Sequence, residues 1–177
     1  RSDNQMSSLS DNHYYPQFCA SAADDDAVFQ AFRSAPGYSE ILEHVSRSLG
    51  QKYFRRISAS PTLRSAAIDI CRSDVVGSPR KFNYPGLGAA STTTLRYVNV
   101  AADLEEHVGS LDRFRVVEIG VGYGGQCLVV CGLHNPQDYA LVDLQPVLAL
   151  TRRFLNETSP SAPVSFHGAN EIPELHT

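Results

Sequence analysis

The stretch that decides the fold is Val116-Val117-Glu118-Ile119-Gly120-Val121-Gly122-Tyr123-Gly124-Gly125-Gln126. Val116–Ile119 reads as a buried strand, and glycines directly after a strand let the backbone turn sharply and meet a ligand with no Cβ in the way. A helix is predicted from about Gly124 to Leu133. Its first N–H groups and positive dipole end suit a carboxylate or a phosphate. Further on, Tyr139–Val142 reads as a second strand, Pro146–Leu155 as a second amphipathic helix and Val164–Phe166 as the start of a third strand. Strands and helices alternating in units of about 25 residues mark a parallel sheet with right-handed crossovers.

Upstream the texture is helical. Asp24, Asp25 and Asp26 offer an N-cap and first-turn acids ahead of Val28, Phe29 and Phe32. Tyr38, Ile41, Leu42, Val45 and Leu49 form one apolar stripe with Gly50 as its expected stop, and Ser60-Pro61 opens a helix through Leu63, Ala67, Ile70 and Cys71. From Asp74 to Ala90 the glycines and prolines favour turns over regular structure. Ser91–Thr94 then caps a helix that carries Leu95, Val98, Ala102, Leu104 and Val108 and ends near Gly109. The expected fold is α/β: a mostly helical region, 1–90, followed by a partial Rossmann-like domain, 91–177, with its first three parallel strands. Sheets of this kind usually hold about five strands or more. The chain is therefore expected to be a piece of a longer protein, the alternative being a sheet completed by another chain.

Composition narrows the function classes. Fifteen Lys and Arg against nineteen Asp and Glu leave a net charge of −4, which argues against a partner held through nucleic-acid phosphates. With 42% hydrophobic and 19% charged residues, the chain has material for a core. The apolar run Cys127–Leu133 is far shorter than the ~20 residues that span a bilayer. Arg1–Asp11 is polar and no leader pattern opens the chain, so the cytoplasm is the expected compartment, and Arg rather than Met comes first. Cys19, Cys71, Cys127 and Cys131 are too scattered for a disulfide scaffold and read as small buried residues. No His, Cys or carboxylate set has metal spacing.

Asp143 ends the second strand about twenty residues beyond the glycines, where an acid can accept hydrogen bonds from both ribose hydroxyls of an adenosine. Two cofactors compete for this pattern. Gly120, Gly122 and Gly125 satisfy the dinucleotide form G-x-G-x-x-G, whereas Glu118, Gly120, Gly122 and Gly124 satisfy the E-x-G-x-G-x-G form of S-adenosylmethionine (SAM) sites. Glu118 favours SAM, because a carboxylate at the strand's exit suits a ligand bearing an ammonium and a sulfonium. The expected cofactor-binding residues are Glu118, Gly120, Gly122, Tyr123, Gly124 and Asp143. For Tyr123, covering the cofactor and packing on a neighbouring helix are both open.

The runs VVEIGVGYGGQC (116–127) and YALVDLQPVLALTRRFL (139–155) resemble the sugar O-methyltransferases, a branch of the class I SAM-dependent methyltransferases. STTTLRYVNVAADLEEHVGSLDRFRVVEIG (91–120) resembles them too, and FCASAADDDAVFQAFRSAPGYSEILEHVS (18–46) does so more loosely. The resemblance covers most of residues 18–157, and the later strands of such enzymes have no counterpart here. It implies methyl transfer from SAM to a sugar or glycan hydroxyl: the glycines would cradle the methionine part, Asp143 would hold the ribose, and Glu118 would organise the turn. Arg96 could meet the cofactor carboxylate or a surface acid; Tyr97 and Gln145 are weaker candidates, and His167 is the least poor candidate for a base. An NAD(P)-dependent oxidoreductase and a non-catalytic half-domain built for interaction are the alternatives, and a homo-oligomer is left open.

Overall fold

The structure is a computed structural model and describes residues 13–171; the polar Arg1–Asp11 stretch lies outside them. Three N-terminal helices, α1 (Tyr14–Asp24), α2 (Asp26–Ala31) and α3 (Tyr38–Leu42), precede α4 (Arg47–Ala59) and α5 (Pro61–Ile70). A hairpin, β1 (Lys81–Tyr84) and β2 (Gly88–Ser91), leads into α6 (Thr92–Val108). The alternating part follows as β3 (Arg115–Ile119), α7 (Gly125–Leu133), β4 (Asp138–Asp143), α8 (Gln145–Thr158) and β5 (Val164–Gly168).

Side-chain caps set the helix starts. The Asp25 carboxylate accepts from the N–H groups of Ala27 and Val28 to open α2, and Ser60, with Pro61 behind it, accepts from Leu63 N–H to open α5. Ser91 does the same for α6 through Thr93 and Thr94.

Two upstream expectations are corrected. The stripe from Tyr38 to Leu49 is not one helix: the chain breaks at 43–46, where the Glu43 carboxylate turns to Arg33 and the Val45 carbonyl accepts from the Thr92 hydroxyl at 2.8 Å. Gly50 does not stop a helix but sits inside α4, because a Cβ there would come within 2.5 Å of Thr92 Cγ2 and Tyr84 Oη. The glycine and proline cluster also conceals the β1–β2 hairpin. Pro85 and Gly86 (φ +70°) form its turn, and Leu87 N–H donates to the Tyr84 carbonyl at 3.1 Å.

β3, β4 and β5 form a parallel sheet in that order, with Val116 opposite Tyr139 and Tyr139 opposite Val164. Val116, Glu118, Tyr139, Leu141 and Phe166 therefore share one face. That face meets the helices: Tyr139 lies toward Cys127 and Cys131 of α7, and Arg152 of α8 stacks on Phe166 at 4.0 Å. α6 packs on α7, and α1 runs along α8. The other face presents Arg115, Ser165 and an Ile119 that is 80% exposed. One hydrophobic cluster runs from Tyr15 to Ala162, so the helical region and the sheet share a core.

Candidate active site at the glycine turn

β3 is tied to β4 to its end, and Gly120 N–H extends the ladder by donating to the Val142 carbonyl at 3.0 Å. The chain then turns with φ of +77°, +58° and +88° at Gly120, Gly122 and Gly124, a region in which a Cβ is strained. Asp143 reaches across from the end of β4. One carboxylate oxygen accepts from Val121 N–H at 2.8 Å and the other from Leu144 N–H at 2.7 Å. The acid and the turn, separate signals in the sequence, are thus joined by a hydrogen bond.

The three glycines have different surroundings. A Cβ built on Gly120 meets nothing within 4 Å, so its backbone faces open space. One on Gly122 would lie 3.1 Å from a Leu42 methyl, and one on Gly124 would lie 2.8 Å from Thr151 Cγ2. Thr151 also donates its hydroxyl to the Gly122 carbonyl at 2.8 Å. Gly120 is the glycine open to a ligand, whereas Gly122 and Gly124 let α3 and α8 close on the turn. The first N–H groups of α7 beyond it have no intrahelical partners.

Tyr123 packs into the core. Its ring is 1% exposed and meets Phe154 at 4.9 Å, Phe32 at 5.7 Å and Tyr97 at 6.1 Å between centroids. Of the two readings open for it, the packing one describes its position. Glu118 lies half-buried on the helix-facing side of β3 and accepts from the Tyr139 hydroxyl at 2.8 Å. Burial pushes its carboxyl up to about 7, the Tyr139 bond works against that rise, and the charge on Asp143 adds to it. Its hydrogen bond ties β3 to β4 beneath the turn, at Tyr139.

Arg96, on the first turns of α6, has a buried Nε with no hydrogen-bond partner. Its guanidinium lies 5.0 Å over the Tyr97 ring, and no carboxylate pairs with it among the described residues. Tyr97 is a core residue whose carbonyl accepts from Gln126 Nε2 at 3.2 Å, so this part of α6 abuts the start of α7. Gln145 faces solvent. His167 is two strands away from β3, with Nε2 at 2.9 Å from Ser165 Oγ. All four cysteines are buried and free. Among the described residues no group of three or more His, Cys, Asp or Glu could hold a metal ion. Asp25 and Asp26 are accounted for by the α2 cap and an ion pair with Arg153.

No family model, curated protein or solved structure matches the chain. The geometry alone therefore carries the functional reading. No helix among the described residues is long and apolar enough to cross a membrane.

Sequence reasoning missed the support under the turn. Arg33, 1% exposed, holds Glu43 through Nε at 2.5 Å and Asp74 through Nη1 at 2.9 Å, with its guanidinium 4.7 Å from the centre of the Tyr123 ring. Asp74 also accepts from Ser91 N–H and the Thr94 hydroxyl. The available signal was a lone arginine directly after Phe32, the last of the apolar residues Val28, Phe29 and Phe32.

Proposed function

We propose that this chain carries the cofactor-binding turn of a Rossmann-like, SAM-dependent O-methyltransferase acting on a sugar or glycan hydroxyl. The observation that carries the reading is the hydrogen bond from Val121 N–H to Asp143, which joins the acid to a glycine turn whose first glycine faces open space. Adenosine-containing ligands of parallel α/β sheets bind at such a strand end. The residues fit the cofactor. Gly120 leaves room for close approach, each Asp143 oxygen keeps a lone pair beyond its backbone bond, and Arg96 offers a guanidinium without a carboxylate.

When bound, SAM supplies a methyl group already activated by the sulfonium, so catalysis is mainly positioning of the acceptor oxygen and removal of its proton. In this reading Asp143 accepts from the ribose hydroxyls and Arg96 holds the carboxylate end. The Gly120–Gly122 backbone orients the ligand, and Glu118 with Tyr139 stiffens the strand below. Among the described residues β3 is an edge strand, and its last residue, Ile119, is exposed. Both features favour a sheet that continues past β3, where a further strand would form the opposite wall of the crevice.

The test is titration of the protein with SAM and, separately, with NAD, followed by backbone amide shifts. Saturable shifts at Gly120, Val121 and Leu144 with SAM are expected. Shifts there with NAD and none with SAM would overturn the reading in favour of an oxidoreductase, and no shift with either would leave the turn a purely structural one.

A further inference from the structure

A polar hollow adjoins the Arg33 cluster at Glu43. It has a volume of about 440 Å³ and is lined by His44, Ser46, Arg47, Arg80, Phe82 and Thr92, with Glu43 at its inner wall. We propose that it binds the oxyanion of a small phosphate or sulfate ester.

Cation placement comes first. Arg47 and Arg80 come from different elements, yet both guanidiniums converge on one ring, 5.3 Å and 5.0 Å from the centre of Phe82. Neither pairs with a carboxylate among the described residues, in a chain whose net charge is −4 and whose other arginines include several in ion pairs. Two like charges gathered without a counter-ion repel one another, and an anion between them removes that repulsion. The acid in the wall does not neutralise them, because Glu43 is already bound to Arg33 at 2.5 Å and accepts from the Ser91 hydroxyl at 3.1 Å.

The backbone contributes donors at the same place. α4, thirteen residues long, begins in the hollow. Ser46 Oγ accepts from Leu49 N–H, which leaves the N–H groups of Arg47 and Ser48 without intrahelical partners. Two forked guanidiniums and two amide N–H groups suit a tetrahedral oxyanion, and the volume accommodates a small organic body attached to it. The hollow is separate from the glycine turn, though the two are linked in space: Glu43 follows Leu42, whose methyl lies against Gly122. The proposal does not depend on SAM binding.

Inorganic phosphate and inorganic sulfate are the probes, each titrated against chloride at matched ionic strength while backbone amide shifts and thermal midpoint are followed. Saturable shifts of the Arg47 and Ser48 amides with either oxyanion are expected, with a rise in midpoint that chloride does not give. Phosphate alone acting would identify the ester as a phosphate, sulfate alone a sulfate, and both would assign the shared oxyanion. Arg47→Gln with Arg80→Gln should weaken the response at least tenfold, whereas Arg72→Gln, which removes an exposed cation paired with Asp69, should leave it unchanged. Both changed arginines are exposed, so the double variant is expected to fold, and the amide spectrum verifies it. A response equal to that of chloride, or one unaffected in the double variant, would overturn the site.

Discussion

Replacing Arg33 by Met tests how the helical region supports the glycine turn. The arginine is 1% exposed, and the Glu43 and Asp74 side chains it pairs with are 5% and 1% exposed. Met fills much of the volume but leaves two buried carboxylates without their cation. Breaking a buried pair by removing one partner costs about 3–5 kcal/mol. Loss of the guanidinium over Tyr123 acts in the same direction. Against the total stability of about 5–15 kcal/mol usual for a domain, the change is large. With a urea dependence of about 2 kcal/mol per molar, the unfolding midpoint should fall by roughly 2 M. The charge argument has its own control: Arg33→Met with Glu43→Gln and Asp74→Asn removes cation and anions together and should recover about 2 kcal/mol of the loss. Urea unfolding followed by circular dichroism reads both variants. A single variant within about 1 kcal/mol of the parent, or a triple variant no more stable than the single one, would refute the reasoning.

Three further outcomes follow from the site. The folded-state pKa of Glu118, raised from 4.5 to about 7, means that the folded chain binds more protons than the unfolded chain between those values. Stability should therefore fall as pH rises through that window and level off above it. Glu118→Gln should accordingly match the parent at pH 4 and exceed it by about 1–3 kcal/mol at pH 8 in denaturant titrations; equal stability at both pH values would count against the buried-acid account. Gly120→Ala should cost only about 1–2 kcal/mol of folding, from its φ of +77°, because nothing crowds the new methyl. It should nonetheless reduce SAM binding at least tenfold, which calorimetry would detect. Asp143→Ala removes the acceptor for Val121 N–H and should lower stability by about 1–3 kcal/mol; SAM affinity unchanged in a folded variant would remove the ribose assignment.

The strands and helices around the turn were legible because most local signals there agree with the packing; the exception is Val116–Ile119, expected as a buried strand but only half-buried, with Ile119 80% exposed on the face that no described helix covers. Apolar runs such as Tyr139–Val142 are buried in the sheet, the helix start at Gln145 lies within a residue of its expected position, and the start at Thr92 falls inside the expected capping run Ser91–Thr94. Where local signals fell short, what a residue touches lay in another part of the chain. Gly50 resembled a helix stop by local rules, yet its identity is set by Thr92 and Tyr84, which come more than thirty residues later. Glu118 looked like a ligand-facing acid from its place in the motif, but strand parity puts it opposite Leu141 on the helix-facing side, where Tyr139 meets it. Gly122 resembled a ligand cradle, and the Leu42 methyl that approaches it belongs to a helix some eighty residues upstream. Periodicity and capping report what neighbours along the chain require, whereas the different surroundings of three glycines, one with open space where a Cβ would stand and two under packed side chains, depend on long-range contacts. The motif located the turn. Helices on both sides of it in the chain, α3 before and α8 after, leave Gly120 as the glycine with open space beside it.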